Sequence, residues 1–402
     1  MHKIERLLQT LAPKGVEFRK LGEVINILKG KQLNKELLLD YGEYPVMNGG
    51  IHASGYWNEY NTDYPKIIIS QGGASAGYVN YMTSKFWAGA HCYAIELNSE
   101  KLNYKFLYYF LKNSQTILMK SQFGAGIPAL NKADIETLTI PIPPLEIQQE
   151  IVKILDAFTE LNTELNTELK ARKKQYEYYQ NMLLDFNDIN QNHKDAKMSV
   201  KTYPKRLKTL LQTLAPKGVE FRKLGEVCDF QKGKSITKKA VTFGKVPVIS
   251  GGRQPAYYHD EANRSGETIA ISSSGVYAGY VSYWDIPVFL ADSFSVSPKQ
   301  KTLMPKYLFH YLTTQQDAIH ATKSTGGIPH VYSKDLQNFL IPIPPLEIQQ
   351  EIVKILDQFS ALTTDLLAGI PAEIKARKKQ YEYYREKLLT FKPLTPNKEV
   401  KK

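Results

Sequence analysis

The sequence predicts two pseudo-symmetric halves. Each is a short helix, a globular region and a long helical region, and the two long helical regions pack antiparallel on each other. Three observations predict this. Three blocks occur twice in the same order: LLQTLAPKGVEFRKLGEV at Leu7–Val24 and Leu210–Val227, IPIPPLEIQQEIVKILD at Ile140–Asp156 and Ile341–Asp357, and KARKKQYEYY at Lys170–Tyr179 and Lys375–Tyr384. The regions between the first and second blocks are related but diverged. The second blocks open apolar seams with coiled-coil spacing. A chain of 402 residues has room for two to four domains at roughly 100–200 residues each.

The globular regions span roughly 16–143 and 219–344. Between them YPVMNGG (Tyr44–Gly50) matches VPVISGG (Val246–Gly252), SQGGASAGYVNY (Ser70–Tyr81) matches SSSGVYAGYVSY (Ser272–Tyr283), and GIPALNKADI (Gly126–Ile135) matches GIPHVYSKDL (Gly327–Leu336). Glycines, prolines and apolar positions agree, while many polar positions do not. Identical blocks suit binding one partner twice, or each other. Unlike surfaces on a common scaffold suit binding two different things.

IPIPP cannot lie inside a helix, because proline fixes φ and donates no hydrogen bond. It reads as a strand end running into a turn, with Pro144 or Pro345 at a first helical position. Glu146 and Glu347 then fall in the first turn, where the helix dipole favours a carboxylate. Ile147, Ile151, Ile154, Phe158, Leu161 and Leu165 follow at alternating spacings of four and three. No proline or glycine stops this helix before about Phe186. The second seam is Ile348, Ile352, Ile355, Phe359 and Leu362, and Gly369 and Pro371 should interrupt it. From Asp156 to Lys170 is fourteen positions and from Asp357 to Lys375 is eighteen, so the two helical regions are not strictly symmetric. Inside the first helix TELNTELNTEL (Thr159–Leu169) is a tandem tetrapeptide. It can lengthen the rod by ~6 Å per unit without destroying the seam. The polar stretch 187–206 lacks periodicity and reads as a linker.

Composition predicts a soluble, foldable protein and not a disordered one: 43% hydrophobic and 11% aromatic. Net charge is +12, which favours a polyanionic partner. The first 186 residues carry as many acidic as basic side chains, so the excess sits in the linker, the second half and the tail. Cys92 and Cys228 are the only cysteines and give neither a disulfide framework nor metal-ligand spacing, pointing to a reducing, cytoplasmic setting. The start lacks a signal-peptide pattern, and no stretch of ~18 apolar residues could span a bilayer.

No catalytic constellation is legible. QKGKS (Gln231–Ser235) imitates the end of a phosphate-binding loop, but its first glycine would fall at Cys228. GASAGY and GVYAGY lack the strand–loop–helix setting of a dinucleotide site. His91, Cys92 and His310 are isolated. Asp134 and Asp335 read as helix-start or turn carboxylates. Neither a cofactor nor a metal is expected.

Taken together, the KLGEV entries, the paired IPIPPLEIQQEIVKIL segments, the TELN tandem and the ARKKQYEYY segments resemble the specificity subunit of a type I restriction-modification system, over essentially the whole chain. The resemblance implies an α+β fold with two mixed α/β target recognition domains separated by an antiparallel coiled coil. It divides the chain at 1–143 (first recognition domain), 144–186 (first spacer helix), 187–206 (linker), 207–344 (second recognition domain), 345–391 (second spacer region, broken near 369–371) and 392–402 (basic tail). It implies a non-catalytic reader of a bipartite, asymmetric double-stranded DNA site. Two adenine-DNA methyltransferase subunits would dock on the conserved helices and restriction subunits would join that core. DNA methylation and ATP-dependent cleavage would belong to those partners.

Comparing the halves then nominates DNA contacts. Basic residues common to both copies should serve the phosphates, which every site shares: Lys29 and Lys31, matched by Lys232 and Lys234. Polar residues that differ within matched loops are candidates for base edges: Asn48, His52, Gln71 and Ser75 in the first half, and Ser250, Arg253 (facing Ile51), Gln254, Ser273 and Tyr277 in the second. Lys120, Gln122, Lys323 and Ser324 precede the GIP turns and could reach the backbone. Ile147, Ile151, Ile154, Phe158, Ile348, Ile352, Ile355 and Phe359 mark the spacer helices and the docking sites on them. The ARKK runs read as a protein-binding or solvated helix face. A protein-only scaffold with two binding modules on a rod is the competing class, and a fused target domain of a self-sufficient methyltransferase a third reading.

Overall fold

The computed structural model describes residues 2–124, 126–187, 203–299, 301–324, 327–364 and 369–394. In chain order the first half contains α1 (His2–Leu11), β1 (Glu17–Lys20), β2 (Ile25–Lys29), β3 (Tyr44–Met47), β4 (Gly55–Trp57), β5 (Lys66–Ser70), β6 (Val79–Met82), β7 (Trp87–Ala88), β8 (Cys92–Leu97), α2 (Tyr104–Asn113), α3 (Gln115–Lys120), α4 (Lys132–Glu136), β9 (Thr139–Ile142) and α5 (Leu145–Leu184). The second half contains α6 (Lys205–Leu214), β10 (Phe221–Lys223), α7 (Leu224–Val227), β11 (Cys228–Lys232), β12 (Val246–Ile249), β13 (Tyr257–His259), β14 (Thr268–Ser272), β15 (Val281–Trp284), β16 (Phe289–Leu290), β17 (Ser293–Pro298), α8 (Pro305–Thr314), α9 (Gln316–Ala321), α10 (Ser333–Leu336), β18 (Leu340–Pro342), α11 (Leu346–Thr364) and α12 (Ile370–Leu389). The fold is mixed α/β, with two sheet-containing domains and the long helix α5 between them in sequence.

The residues form two compact units: Met1–Asn166 with Ile374–Lys402, and Thr167–Glu373. Each contains a four-stranded antiparallel sheet, β2-β8-β5-β6 in the first and β11-β17-β14-β15 in the second. Each also has a three-stranded sheet, β4-β3-β7 or β13-β12-β16, and a two-stranded ribbon, β1-β9 or β10-β18. The topology is therefore repeated strand for strand.

The central strands explain the layering. Side chains alternate between faces of a strand. In β5, Ile67 and Ile69 enter the core under α2 with Leu107 and Ile95, while Ile68 enters a second cluster with Met47 and Phe86 of the small-sheet side. Both faces are covered, so the strand reads as an unbroken apolar run. In β14, Ile269 and Ile271 face one cluster and Ala270 faces Ile249, Val288 and Leu290 in another.

The IPIPP segments end as expected, in a strand and then a helix. Pro141 lies opposite Phe18 in the two-stranded ribbon β1-β9, where a missing donor is tolerated. The helix itself starts one residue later than the sequence suggests. Pro144 offers its carbonyl to the amides of Ile147 and Gln148 at 3.0 and 3.2 Å, and Pro345 does the same for Ile348 and Gln349.

The side chain after each seam isoleucine does work that sequence reasoning missed. Gln148 is fully buried. Its Oε1 accepts from the Asn103 amide at 2.7 Å, and its Nε2 donates to Lys101 and Pro143 carbonyls at 2.8 and 2.6 Å. Gln349 repeats the pattern with Met304, Thr302 and Pro344. These amides pin the start of each long helix to the segment before α2 or α8.

The seams are intramolecular, and one expectation needs correction. Ile147 and Ile151 have no exposed surface and belong to the first unit's core, as Ile348 and Ile352 belong to the second's. Ile154 and Ile355 pack half-buried against the same cores. Within the first unit Phe158 stacks on Tyr384 (5.6 Å, 26°) and tilts against Tyr381 of α12. Within the second, Phe359 of α11 stacks on Tyr179 of α5 (5.1 Å, 23°). All eight residues pack within their own unit; the four fully buried isoleucines cannot be docking surface, because their own unit already covers them.

Each unit thus takes its KARKKQYEYY helix from the other half of the sequence. Leu388 and Leu389 sit in the first unit's core, and Met182, Leu183, Leu184 and Phe186 in the second's. The interruption falls between α11 and α12. Gly369 accepts from the amides of Ala372 and Glu373, so Pro371 lies in the first turn of α12, where its missing donor costs nothing. Most of the expected linker, 188–202, lies outside the described residues, and α6 already begins at Lys205. The expected tail begins as paired structure: Val16 donates to Lys392 at 2.9 Å and accepts from Leu394 at 3.0 Å. Gly15 has φ +107°, and a Cβ there would lie 2.5 Å from the Pro393 carbonyl. Residues 395–402 lie outside the described set. No helix among the described residues is long and apolar enough to cross a membrane.

Candidate nucleic-acid interface

In the first unit four loops are tied together at one end of the larger sheet. The turn after β5 is held to the β7–β8 turn by Gln71 N–H donating to His91 O at 2.8 Å. It is held to the GIP turn by Gly73 N–H to Pro128 O at 2.8 Å and Leu130 N–H to Gln71 O at 2.8 Å. Ser70 Oγ donates to Gly49 O in the turn after β3. Gly77 has φ +86°, and a Cβ would meet the α3 backbone at 2.7 Å, so only glycine fits.

This cluster gathers Asn48, His52, Gln71, Ser75, Lys120 and Gln122, but not all of them present their polar atoms outward. Asn48 Oδ1 accepts from the His91 amide at 3.0 Å. Gln122 Nε2 donates to Ala76 O at 2.7 Å. These two hold loops in place. His52 and Lys120 are exposed.

Lys29 and Lys31 are not part of these four turns, although Gly30 N–H donates to Cys92 O at 2.9 Å and Lys31 N–H to Ala88 O at 2.8 Å, at the two ends of the β7–β8 turn. They line a cleft of ≈ 320 Å³ with Asn61, Thr62, Asp63, Lys66 and Glu96, beside β7 and β8. Lys66 and Glu96 approach to 3.4 Å, so the cleft is of mixed charge. In the second unit Arg264 holds the position matching Thr62. Its guanidinium donates to Ser295 Oγ at 2.9 Å and to the carbonyls of Gln231 and Lys232 at 3.1 Å. Burial lowers its proton affinity. Lys232 and Lys234 are exposed around it.

The second unit repeats the three backbone bonds at matching positions, and its serine hydroxyl ties the same two turns one residue earlier, at Ser250 (which matches Asn48) instead of the match of Gly49. Ser272 Oγ donates to Ser250 O at 3.0 Å, Ser273 N–H to Asp292 O at 3.0 Å, Val331 N–H to Ser273 O at 2.9 Å, and Gly275 N–H to Pro329 O at 3.0 Å. Ser250, Arg253, Gln254, Ser273, Tyr277, Lys323 and Ser324 all fall in this cluster. Ser324 Oγ accepts from His330 N–H at 3.1 Å, and Lys323 Nζ reaches Val276 O at 3.3 Å, so both brace the loops. Arg253 lies over Tyr277, 4.9 Å from the ring centroid, and 5.6 Å from that of Tyr280. Burial, then Lys323 and Arg253, lower the proton affinity of nearby His320.

Exposed apolar tips were not anticipated. Ile127 is 78% exposed and Ile328 65%, at the same place in both GIP turns. The recurrence of GIP in both halves was the available hint. Burial pushes both thiols, Cys92 and Cys228, up to about 12, which removes them from nucleophilic chemistry. Among the described residues no group of three or more His, Cys, Asp or Glu could hold a metal.

The model for the type I restriction modification DNA specificity domain matches twice, at residues 13–174 and 216–376. The chain belongs to the type I restriction-modification specificity family. It is 33% identical over 96% of its length to a type I restriction enzyme specificity subunit of Haemophilus influenzae, covering 98% of that protein. It is 30% identical over 98% of its length to a type I restriction enzyme specificity subunit of Escherichia coli, again covering 98%. The crystal structure of a type I restriction-modification system S subunit from M. genitalium shares the fold, with a TM-score of 0.66 and 24% identity over 93% of this chain and 96% of that one. Specificity subunits are the non-catalytic members of their systems, and catalysis lies in other subunits. Each family match runs past the boundary of a folded unit, at residue 166 or 373, because the sequence repeat and the folded unit are offset by the exchanged helices.

Proposed function

We propose that this chain reads a bipartite, asymmetric double-stranded DNA site, one half with each unit, in the cytoplasm. It seats two adenine-DNA methyltransferase subunits, and restriction subunits where the host supplies them. The observation that carries the reading is the contrast within the loop clusters. The backbone bonds that tie the turn after the central strand to the two neighbouring turns recur at matching positions in both units, while the side chains they carry differ. A common frame with unlike contents suits two unlike half-sites.

The equal seats for a twice-bound partner are the exposed parts of the identical blocks. Glu146, Gln149 and Lys153 are exposed on α5, and Glu347, Gln350 and Lys354 on α11. Tyr178 and Tyr383 add a 61% and a 52% exposed ring at matching places, the residue type enriched where binding energy concentrates.

The test is an exchange of residues 25–139 for the corresponding region of a relative, followed by mapping of methylated adenines in cells that carry the complex. One half of the methylated site should change and the other stay. If both halves change, or neither, the modular reading is wrong. Gel shifts of the complex should lose affinity steeply with salt. A protein-only scaffold would show no sequence preference at all.

A further inference from the structure

Within the function proposed above, on which this inference rests, we propose that Arg253 reads a guanine in the half-site of the second unit. Three observations carry it. Arg253 sits in the turn after β12, exposed, and that turn is fastened to the turn after β14 by the Ser272–Ser250 hydrogen bond. Its guanidinium lies 4.9 Å from the ring centroid of Tyr277 and 5.6 Å from that of Tyr280. Its counterpart in the first unit is Ile51, 43% exposed, which can make no hydrogen bond through its side chain.

The geometry selects the ligand. A guanidinium held over aromatic rings at these distances makes a cation–π contact through its charge and need not use its N–H groups as hydrogen-bond donors to do so. What remains is a rigid, planar fork of donors. It matches two acceptors side by side: a carboxylate, a phosphate, or O6 and N7 of guanine in the major groove. The carboxylate of the loop cluster, Asp292, already accepts from Ser274 Oγ. Phosphates occur at every site, so a phosphate contact belongs at positions where both units carry a cation. Arg253 is matched by isoleucine, so it reads something that only the second half-site has. Restraint by two tyrosines also lowers the entropy lost on forming a paired hydrogen bond. The neighbouring cation Lys323, whose Nζ reaches Val276 O in the same loop cluster, favours the most electronegative base edge.

The experiment uses the complete complex with its methyltransferase subunits. Adenine methylation is mapped in cells carrying wild type, Arg253→Ala and Arg253→Lys, and binding is measured on duplexes. In these, each guanine of the second unit's half-site is replaced in turn by 7-deazaguanine, which lacks the N7 acceptor. The wild-type site should contain an invariant guanine in that half. Arg253→Ala should accept other bases at that one position and bind the cognate duplex about 5- to 150-fold more weakly. Arg253→Lys should retain binding but lose the discrimination. 7-Deazaguanine at that position should weaken wild type and leave Arg253→Ala unaffected. A second half-site without guanine overturns the proposal, as does an unchanged site in both variants. A uniform weakening on every duplex, with the salt slope reduced by about one, would make Arg253 a phosphate contact instead. Exchange of residues 25–139 separates the two levels. If exchange moves one half of the site and Arg253→Ala moves nothing, only the guanine assignment fails.

Discussion

His310 and Asp357 meet at 3.0 Å, Nε2 to Oδ1, where α8 packs against α11. His310 is 1% exposed. In the first unit Tyr109 takes the same place and donates to Asp156, the matching aspartate of the repeated block. One acceptor from an identical block therefore serves two different donors from diverged helices. Lys105 and Lys306 complete both arrangements, at 2.8 and 2.6 Å. This is how a constant helix is seated on a variable domain.

Replacing Asp357 should loosen the second unit. Burial works to raise its proton affinity, but hydrogen bonds from His310 and Lys306 outweigh it and hold the pKa below the usual carboxylate value. A depressed folded-state pKa stabilises above the unfolded value, near pH ~4, and that contribution is lost as pH falls through the folded value. Asp357→Ala should cost about 1–2 kcal/mol at neutral pH, the low end because the side chain is a third exposed. Urea melts should show the difference from wild type shrinking below about pH 4.

Gln148 and Gln149 are neighbours with opposite fates, one buried and one exposed. Gln148→Leu leaves an amide and two carbonyls without their partner, at a cost of about 3 kcal/mol. Gln149→Leu should change stability by less than about 0.5 kcal/mol. Equal effects in thermal melts would show that the buried amide does not pin the helix.

Cys92 and Cys228 should resist alkylation in the native protein near neutral pH. Burial raises both to about 12, so the reactive thiolate is scarce and shielded. Mass spectrometry should find both labelled only after denaturation. Rapid labelling of either in the native state would contradict the packing.

On the proposed reading of a bipartite site, deleting one TELN unit from Thr159–Leu169 should bring the two half-sites closer. Four residues carry ~6 Å of helix rise, against ~3.4 Å per base pair. The gap in the methylated site should shorten by about one to two base pairs. An unchanged gap would mean that α5 does not set the spacing.

Much of this was legible in the sequence. Duplicated blocks gave two halves, matched glycine and apolar positions gave a shared scaffold, and Gly369 with Pro371 placed the helix break. The candidate interface was legible only as loops. Asn48, Gln122 and Ser324 differ between the halves as a reading residue should, yet each braces a neighbouring turn. A polar side chain in a loop can satisfy its own backbone or face outward, and the local sequence is the same in both cases. Likewise Gln148 reads as an ordinary helix residue until the carbonyls of Lys101 and Pro143 surround it.

By itself, the sequence determined the repeated architecture, the seam spacing and the absence of a legible catalytic constellation, because periodicity, proline and glycine act locally. Only the tertiary structure decided which unit owns each KARKKQYEYY helix. The two copies are identical, so nothing within them distinguishes one seat from the other. An unbroken α5 cannot fold back on its own start, so Tyr179 meets Phe359 while Phe158 meets Tyr384. The first differing side chain beyond the block then fits its own seat: Gln180 donates to Thr313 Oγ1 at 2.6 Å, and Arg385 to Asn113 Oδ1 at 3.1 Å.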